Sequence, residues 1–217
     1  EYRSPIRMVP AEDDSVFRVN SEASKYNLYR DVLEIRHSEK DNETWLINEL
    51  PLEYYVGGLL ESSNSSPEEF QMALATAART YAYYHQQRGT KHRSLGFHVD
   101  DYYDQIYSGY HAETSRPGYS EAAMKSAGQI VHYNDEPVIT PYFSRSDGRT
   151  RSWEDVWAGG PYPWLVEVDV PWDDGYPLWG HGVGMSARAA IKMADEGMHY
   201  EEILKYFYHG TTLKKLY

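Results

Sequence analysis

The sequence has no cysteine among its 217 residues, and this absence excludes several kinds of site. Without a thiol there can be no disulfide, no thiolate nucleophile and no cysteine-ligated zinc. No apolar run approaches the roughly 20 residues that a membrane-spanning helix requires. The chain begins at Glu1 without the charged and apolar segments of a secretory signal, so a removed leader or anchor stays an open expectation.

Basic residues are scarce, since 21 Lys and Arg stand against 33 Asp and Glu, giving a net charge of −12. This charge repels phosphate backbones and acidic lipids, so we expect no nucleic-acid partner. Blocks of like charge and low-complexity tracts are missing, which is typical of a chain that folds throughout. Tyrosine is abundant, with 21 residues. Its rings suit stacking on sugars and, equally, packing in half-buried strands.

The apolar pattern predicts an α+β fold: a single domain with antiparallel strands around a central buried helix and two C-terminal helices. Short apolar runs between Val16 and Val56 indicate hairpins. The stretch Ser66-Pro67-Glu68-Glu69 predicts a capping box that opens a helix ending before Gly89. Two faces of that helix are apolar or small, which predicts burial. Further strands are predicted at 105–110, 128–133, 138–143 and 164–170, and further helices at 186–196 and 200–208.

Two polar stretches each have two interpretations. The glycine-rich segment 180–186 fits no phosphate-loop motif. It is either a tight turn before a helix or a cleft in which His181 meets a ligand. The segment 144–149 is either a nucleophile loop without the usual motif or an ordinary turn. The nine histidines have no metal-ligand spacing, so we predict no metal and no cofactor.

Glu61 is the carboxylate with the most distinctive position. It follows Gly57-Gly58-Leu59-Leu60 and precedes the predicted buried helix. It is either an exposed loop glutamate or a partly desolvated acid, whose pKa would rise from about 4.3 toward 6 or 7. An acid of the second kind can donate a proton at neutral pH.

Seven stretches of the sequence form an ordered set: Tyr29–Ile35, Ile47–Tyr55, Ala77–Tyr81, Gln105–Gly109, Glu154–Trp157, Trp179–Ser186 and Tyr200–Leu204. Taken in order, they resemble the SpoIID/LytB family of peptidoglycan-acting domains. The resemblance runs from about Tyr29 to the C-terminus, so we expect residues 29–217 to form a SpoIID-like catalytic domain and residues 1–28 to form a strand-rich extension of the same unit.

The resemblance implies lytic transglycosylase activity on the bond between N-acetylmuramic acid and N-acetylglucosamine of peptide-free glycan, with 1,6-anhydro ends as the product. The alternative is a non-catalytic module that binds peptidoglycan or activates an amidase. The family's catalytic acid corresponds to Glu61, which lies 18 residues before Arg79, although the approach from Tyr55 is two residues shorter than the usual pattern. The residues expected to bind sugar or stabilise charge are Tyr142, Ser144, Ser146 and His181, with Trp153, Trp157 and Trp179 as stacking surfaces or as core residues. Arg79 either joins this group or only ties its helix to neighbouring carbonyls.

Three departures from the family pattern accompany this resemblance. The region where some relatives hold a metal with Cys and His contains no Cys here, and the usual S-Q-Y-G-A and S-S-G-G motifs are altered at 186–190 and 145–148. The remaining expectations are a cell-wall-associated, extracytoplasmic monomer. Its expected partners are glycan strands and a candidate amidase.

Overall fold

The computed structural model describes residues 5–12, 15–20, 26–39 and 42–217, and its fold is α+β. The N-terminal strands pair antiparallel, as the sequence predicts. One sheet has the order β1-β4-β5, and β2 pairs with β3. The strands are β1 (Ile6–Met8), β2 (Val16–Arg18), β3 (Leu28–Arg30), β4 (Val32–Ser38) and β5 (Glu43–Glu49).

A long central helix organises the rest of the molecule. Fourteen residues of this 21-residue helix are buried, including Phe70, Leu74 and Tyr84. The predicted central buried helix is therefore confirmed. Three short helices, which the sequence analysis did not predict, join it in this half. The helices are α1 (Leu52–Gly57), α2 (Glu68–Arg88), α3 (Tyr110–Ser115) and α4 (Pro117–Lys125).

The start of α2 differs from the predicted capping box. Pro67 occupies the N-cap position, and no side chain caps the helix. The Ser66 hydroxyl contacts Ser63 instead, at 3.0 Å. The Glu69 carboxylate accepts a hydrogen bond from the backbone N–H of Tyr200 at 2.7 Å. Glu69 therefore bonds to Tyr200 at the start of a C-terminal helix rather than to the backbone at the start of its own helix.

The C-terminal half adds a second antiparallel sheet, β10-β6-β7, and one parallel pair, β8-β9. The helix predicted at 186–196 is confirmed, since Ser186 caps it by accepting from Ala189 N–H at 3.4 Å. The last predicted helix is also confirmed. The elements are β6 (Gln129–Tyr133), β7 (Glu136–Pro137), β8 (Tyr142–Phe143), α5 (Trp153–Val156), a 3-10 turn (Pro171–Asp173), β9 (Met185–Ser186), α6 (Ala187–Asp195), α7 (Tyr200–Phe207) and β10 (Thr212–Lys215).

Two predicted strands are wrong and one is shortened. The segment 105–110 forms a single bridge, from Tyr107 to Leu59, and then enters α3. The segment 164–170 contains one bridge, from Asp169 to Arg149, and otherwise bends. The strand predicted at 138–143 is reduced to β8. Leu165 and Val170 are buried although their backbone is irregular, and an alternating apolar pattern cannot distinguish such a segment from a strand.

The two parts of the predicted domain division are connected by strand pairing. β1 and β2 lie before residue 29, and they pair with β4 and β3. Residues 1–4, 13–14 and 21–25 of the predicted extension lie outside the described residues, and the division stays a prediction. Within the described part of the chain, no helix combines the length and the apolar character needed to cross a bilayer.

Candidate functional site around Glu61

Glu61 lies where two irregular segments meet above the start of α2. The backbone N–H of Leu60 donates to Ile106 O at 2.8 Å, and Ser108 N–H donates to Gly58 O at 2.9 Å. A Cβ at Gly58 would be only 2.5 Å from the ring of Tyr107, so this close approach requires glycine. The double glycine before Glu61 therefore lets the chain pack tightly before it turns the carboxylate toward its partners.

The carboxyl group of Glu61 receives two hydrogen bonds from the protein. Ile106 N–H donates to Oε1 at 3.2 Å, and the Tyr142 hydroxyl on β8 donates to Oε2. Burial raises the pKa of Glu61 to about 7, against the opposing effect of these two hydrogen bonds. Of the two interpretations, the structure therefore supports the desolvated acid, which is protonated at neutral pH to a greater extent than an exposed glutamate.

Three tyrosines surround the acid. Tyr55 on α1, Tyr119 on α4 and Tyr142 on β8 each have a pKa raised by burial and by the nearby charge of Glu61. Their hydroxyls are therefore neutral across the physiological range. The acid thus lies among uncharged polar groups, which allows desolvation to dominate its titration.

Gln105 connects this group, and the sequence analysis did not identify it as a site residue. Its side chain is buried, with the amide nitrogen 3.0 Å from the Tyr142 hydroxyl and the amide oxygen 2.7 Å from the Tyr55 hydroxyl. The sequence feature that could have identified Gln105 is its position at the start of the stretch Gln105–Gly109. A buried amide at such a position needs hydrogen-bond partners.

His181 connects β8 to the glycine-rich turn through two hydrogen bonds. Its Nε2–H donates to Tyr142 O at 3.0 Å, and its Nδ1 accepts from Val183 N–H at 3.1 Å. Burial lowers its pKa to about 4, so the ring is neutral. Both ring nitrogens are engaged within the protein. The prediction that His181 binds sugar or stabilises charge is therefore corrected: it supports the strand that carries Tyr142.

The glycines beside His181 are explained by packing. A Cβ at Gly184 would lie 2.1 Å from Pro141 O, and one at Gly180 would lie 2.8 Å from Phe143 Cβ, both at positive φ. Of the two interpretations, the structure therefore supports the tight turn. This turn passes against β8 and continues into β9 and α6.

Arg79 does not face the site. Its side chain is fully buried, and its guanidinium donates to the Glu53 carboxylate at 2.7 to 3.1 Å. It also donates to Ala123 O at 2.7 Å and to Gln129 O at 3.3 Å. Of the two expectations for Arg79, the structure supports the tie between the helix and neighbouring carbonyls, because these bonds and the surrounding core leave a ligand no access.

Ser146 is also internal. Its hydroxyl and its backbone N–H both donate to the buried Asp173 carboxylate, at 2.9 and 2.8 Å. Ser186 donates to the same oxygen at 2.6 Å, and Arg188 lies 3.2 Å from the other. The predicted sugar contact of Ser146 is therefore corrected: this serine joins its loop to the start of α6.

The other predicted contacts are accessible. Ser144 is exposed and follows Tyr142 by two residues, and the Trp179 side chain is 63% exposed. Trp157 is half-buried, with its ring centroid 4.7 Å from that of His181. Trp153 is half-buried as well and packs on Trp157 at 4.6 Å. Sugar binding by these residues stays a prediction.

Several known proteins are similar to this chain. The family model described as stage II sporulation protein matches residues 40–133, which include Glu61 and Gln105. Stage II sporulation protein D of Bacillus subtilis is 24% identical over 262 residues, covering 78% of this chain and 76% of that protein. These matches support membership of the SpoIID family.

Two further relatives match smaller shares of their own length. The stage II sporulation protein D of Bacillus amyloliquefaciens is 28% identical over 150 residues, covering 61% of this chain and 42% of that protein. An uncharacterized protein of Brachyspira hyodysenteriae is 34% identical over 131 residues, covering 58% of this chain and 34% of its own length. The chain thus spans less than half of these two relatives.

The segment 98–104, which corresponds to the metal-binding region of some relatives named in the sequence analysis, is held by a cross-link of side chains centred on Asp104. The Asp104 carboxylate is fully buried and contacts His92 Nε2, Tyr81 OH and Asp100 N–H, each at 2.9 Å, as well as Lys91 Nζ. Among the described residues, no group of three His, Asp or Glu side chains could hold a metal ion. This cross-link holds the loop that leads directly into Gln105.

Proposed function

We propose that this chain is a peptidoglycan lytic transglycosylase in which Glu61 is the single general acid and base. The supporting observation is a half-buried carboxyl group with a pKa of about 7. An acid with a pKa near the working pH can both donate and recover a proton efficiently. The substrate is a glycan strand free of stem peptides.

In the first step, protonated Glu61 donates its proton to the oxygen that links N-acetylmuramic acid to the next sugar. The bond from C1 to that oxygen breaks, and the leaving sugar departs as a neutral alcohol. The positive charge that develops at C1 lies near the new carboxylate. Since Tyr142 and Ile106 both donate hydrogen bonds to this carboxylate, they stabilise it as it forms.

In the second step, the 6-hydroxyl of the same muramic sugar attacks C1 and forms the 1,6-anhydro ring. Its proton passes to Glu61, which returns to its starting state, and no water is consumed. The nucleophile belongs to the substrate, so it acts at high effective concentration. One carboxyl group therefore suffices, whereas most glycoside hydrolases use two.

The surroundings of Glu61 agree with a single acid. Among the described residues, no second carboxylate contributes to its raised pKa, which comes from burial. An inverting or retaining hydrolase would place a second carboxylate within about 5 to 10 Å of the first. Such a neighbour would push the pKa of Glu61 upward through repulsion, and the described part of the chain has no such effect.

The test is product analysis by mass spectrometry after incubation with purified peptide-free glycan. We expect 1,6-anhydro-muramic ends from the unchanged protein and a rate lower by about 10²- to 10⁴-fold for Glu61→Gln. The matched control is Glu113→Gln, because burial also raises the pKa of Glu113 to about 7. Glu113 pairs with Arg30 at 2.9 Å.

Each alternative predicts a different product. Reducing ends would indicate a hydrolase that uses water. Intact strands would support the alternative function, a non-catalytic module that binds peptidoglycan or activates an amidase. A Glu61→Gln variant that cleaves at the unchanged rate would contradict the role of Glu61.

The proposed location and partners follow from this activity. We propose that the protein acts outside the cytoplasm at the cell wall, as a monomer, on glycan strands. An amidase that removes stem peptides would supply the peptide-free substrate. The exposed Ser144 and Trp179, with the half-buried Trp157, are the proposed sugar contacts. Fractionation with purified cell walls tests the location.

A further inference from the structure

The buried amide of Gln105 lies between three oxygen atoms. Its nitrogen is 3.3 Å from Ala78 O on α2 and 3.0 Å from the Tyr142 hydroxyl. Its oxygen is 2.7 Å from the Tyr55 hydroxyl on α1. The side chain is only 2% exposed, so water does not compete for these partners.

The backbone carbonyl of Ala78 decides which way the amide faces. A carbonyl oxygen can only accept, so the NH₂ end of Gln105 must face Ala78. The Tyr142 oxygen then accepts from the same NH₂ group, and Tyr55 must donate to the amide oxygen. The opposite orientation would bring two oxygens together at the Ala78 contact, so the network has one consistent arrangement.

This arrangement has a consequence for Glu61. A tyrosine hydroxyl has one hydrogen, and the NH₂ group of Gln105 can only donate to this oxygen. Glu61 Oε2 is therefore the acceptor that the described contacts of the Tyr142 hydroxyl offer to that hydrogen. Ile106 N–H donates to Oε1. Both protein contacts of the carboxyl group are therefore donors. When Glu61 is protonated, its own hydrogen has no acceptor in these contacts and lies on the partly exposed side.

We propose that Gln105 is a positioning residue that fixes the direction of the hydrogen bond between Tyr142 and Glu61. Because Tyr142 always donates, the hydrogen of Glu61 faces an incoming ligand rather than the protein. Only the identity of that ligand, a glycosidic oxygen, rests on the function proposed above. The titratable groups that face Glu61 are Tyr55 from α1, Tyr119 from α4 and Tyr142 from β8, and only Tyr142 contacts it by a hydrogen bond.

The test is the pKa of Glu61, measured from the carboxyl ¹³C resonance in Gln105→Met. Methionine has similar length and no N–H donor, so the Tyr142 hydroxyl can turn and accept the hydrogen of neutral Glu61. The neutral acid gains an acceptor, and the pKa of Glu61 should rise by about one unit. The descending limb of the pH–rate profile should move to higher pH with it, while kcat falls.

A double-mutant cycle separates positioning from packing. In a Tyr142→Phe background, Gln105→Met should change the pKa of Glu61 by less than about 0.3 unit, because the intermediary is gone. An equal shift with and without Tyr142 would overturn the proposal, and so would no shift in the single variant.

The matched control is Thr140→Val. Thr140 is fully buried and donates to Ala77 O at 2.8 Å, one residue before Ala78, yet it has no contact with Tyr142 OH or Glu61. We expect the pKa of Glu61 to stay unchanged in this variant, and a shift like that of Gln105→Met would refute a specific role.

If Gln105→Met does not fold, neutron diffraction of the unchanged protein gives the answer directly. The deuteron of Tyr142 should lie toward Glu61, and the ND₂ group of Gln105 should face Ala78 O and Tyr142. A Tyr142 deuteron on the Gln105 side overturns the proposal. Both measurements need no glycan, so an inactive protein would refute the proposed function without touching this inference.

Discussion

At the scale of single residues, Glu61 links activity to stability. Its pKa is about 7 in the folded protein and about 4.5 when unfolded. Because the folded state binds this proton more tightly, Glu61 contributes stability below pH 4.5 that is lost as the pH rises through 7. The contribution of Glu61 to the free energy of folding is therefore least favourable at pH values where Glu61 is ionised.

Glu61→Gln should accordingly be more stable than the unchanged protein at pH 8.5, by up to about 3 kcal/mol, because glutamine does not ionise. At pH 4 the two proteins should have similar free energies of unfolding. Denaturant titrations at both pH values measure this. Glu154→Gln, which makes the same substitution at an exposed carboxylate, serves as the control. A Glu61→Gln protein that is no more stable at pH 8.5 would contradict the raised pKa.

At the scale of elements, one arginine connects α2 to three of its neighbours. Arg79 reaches Glu53 on α1, Ala123 O on α4 and Gln129 O on β6. Burial alone would raise the pKa of Glu53, but Arg79 together with the hydrogen bonds from Tyr217 and Gly128 outweighs it, and the pKa of Glu53 is lowered. The pair thus orients the elements that carry Tyr55 and Tyr119 around Glu61.

Arg79→Met should lower the free energy of unfolding by about 3 to 5 kcal/mol, since it leaves the Glu53 carboxylate buried without its charge partner. Arg149→Met is the control, because Arg149 pairs with Glu167 at 3.4 Å on the surface. Its effect should be below about 1 kcal/mol. Denaturant titrations compare the two, and equal losses would argue against the structural role of Arg79.

At the scale of the whole molecule, burial is uneven. α2 has 14 buried residues, whereas β4 has two, Leu33 and Glu34, and β5 has none. Regions with few buried contacts open at lower free energy than the core. The candidate site lies on the α2 side of this division, where the backbone is held most firmly.

Amide hydrogen exchange should reveal this difference. The amides of residues 74–82 in α2 should exchange only through global unfolding, and their rates should follow the global denaturant dependence. The amides of β5 should exchange faster, through a smaller opening with weak denaturant dependence. Amides in β5 that exchange as slowly as those of α2 would contradict this picture.

Features that depend on neighbours in the chain were predictable from the sequence by itself. The apolar periodicity of α2 and the stop at Gly89 located the central helix, and Ser186 marked the start of α6. The run before Glu61, together with the family resemblance, selected the candidate acid. These are signals within a few turns or residues, where helix propensity, capping and burial act locally.

Only the tertiary structure decided which polar groups meet. Glu61 and Tyr142 are 81 positions apart, and Arg79 and Glu53 are 26 apart, so no local pattern encodes either contact. Ser146 and His181 are polar residues that the sequence could not distinguish from ligand contacts, and both bind within the protein. For Arg79 the sequence left both roles open, and the fold selected the internal one. Gln105 was overlooked for the same reason. A buried hydrogen-bonding group takes whichever partner the packed core brings within 3 Å, and that choice is made by the fold.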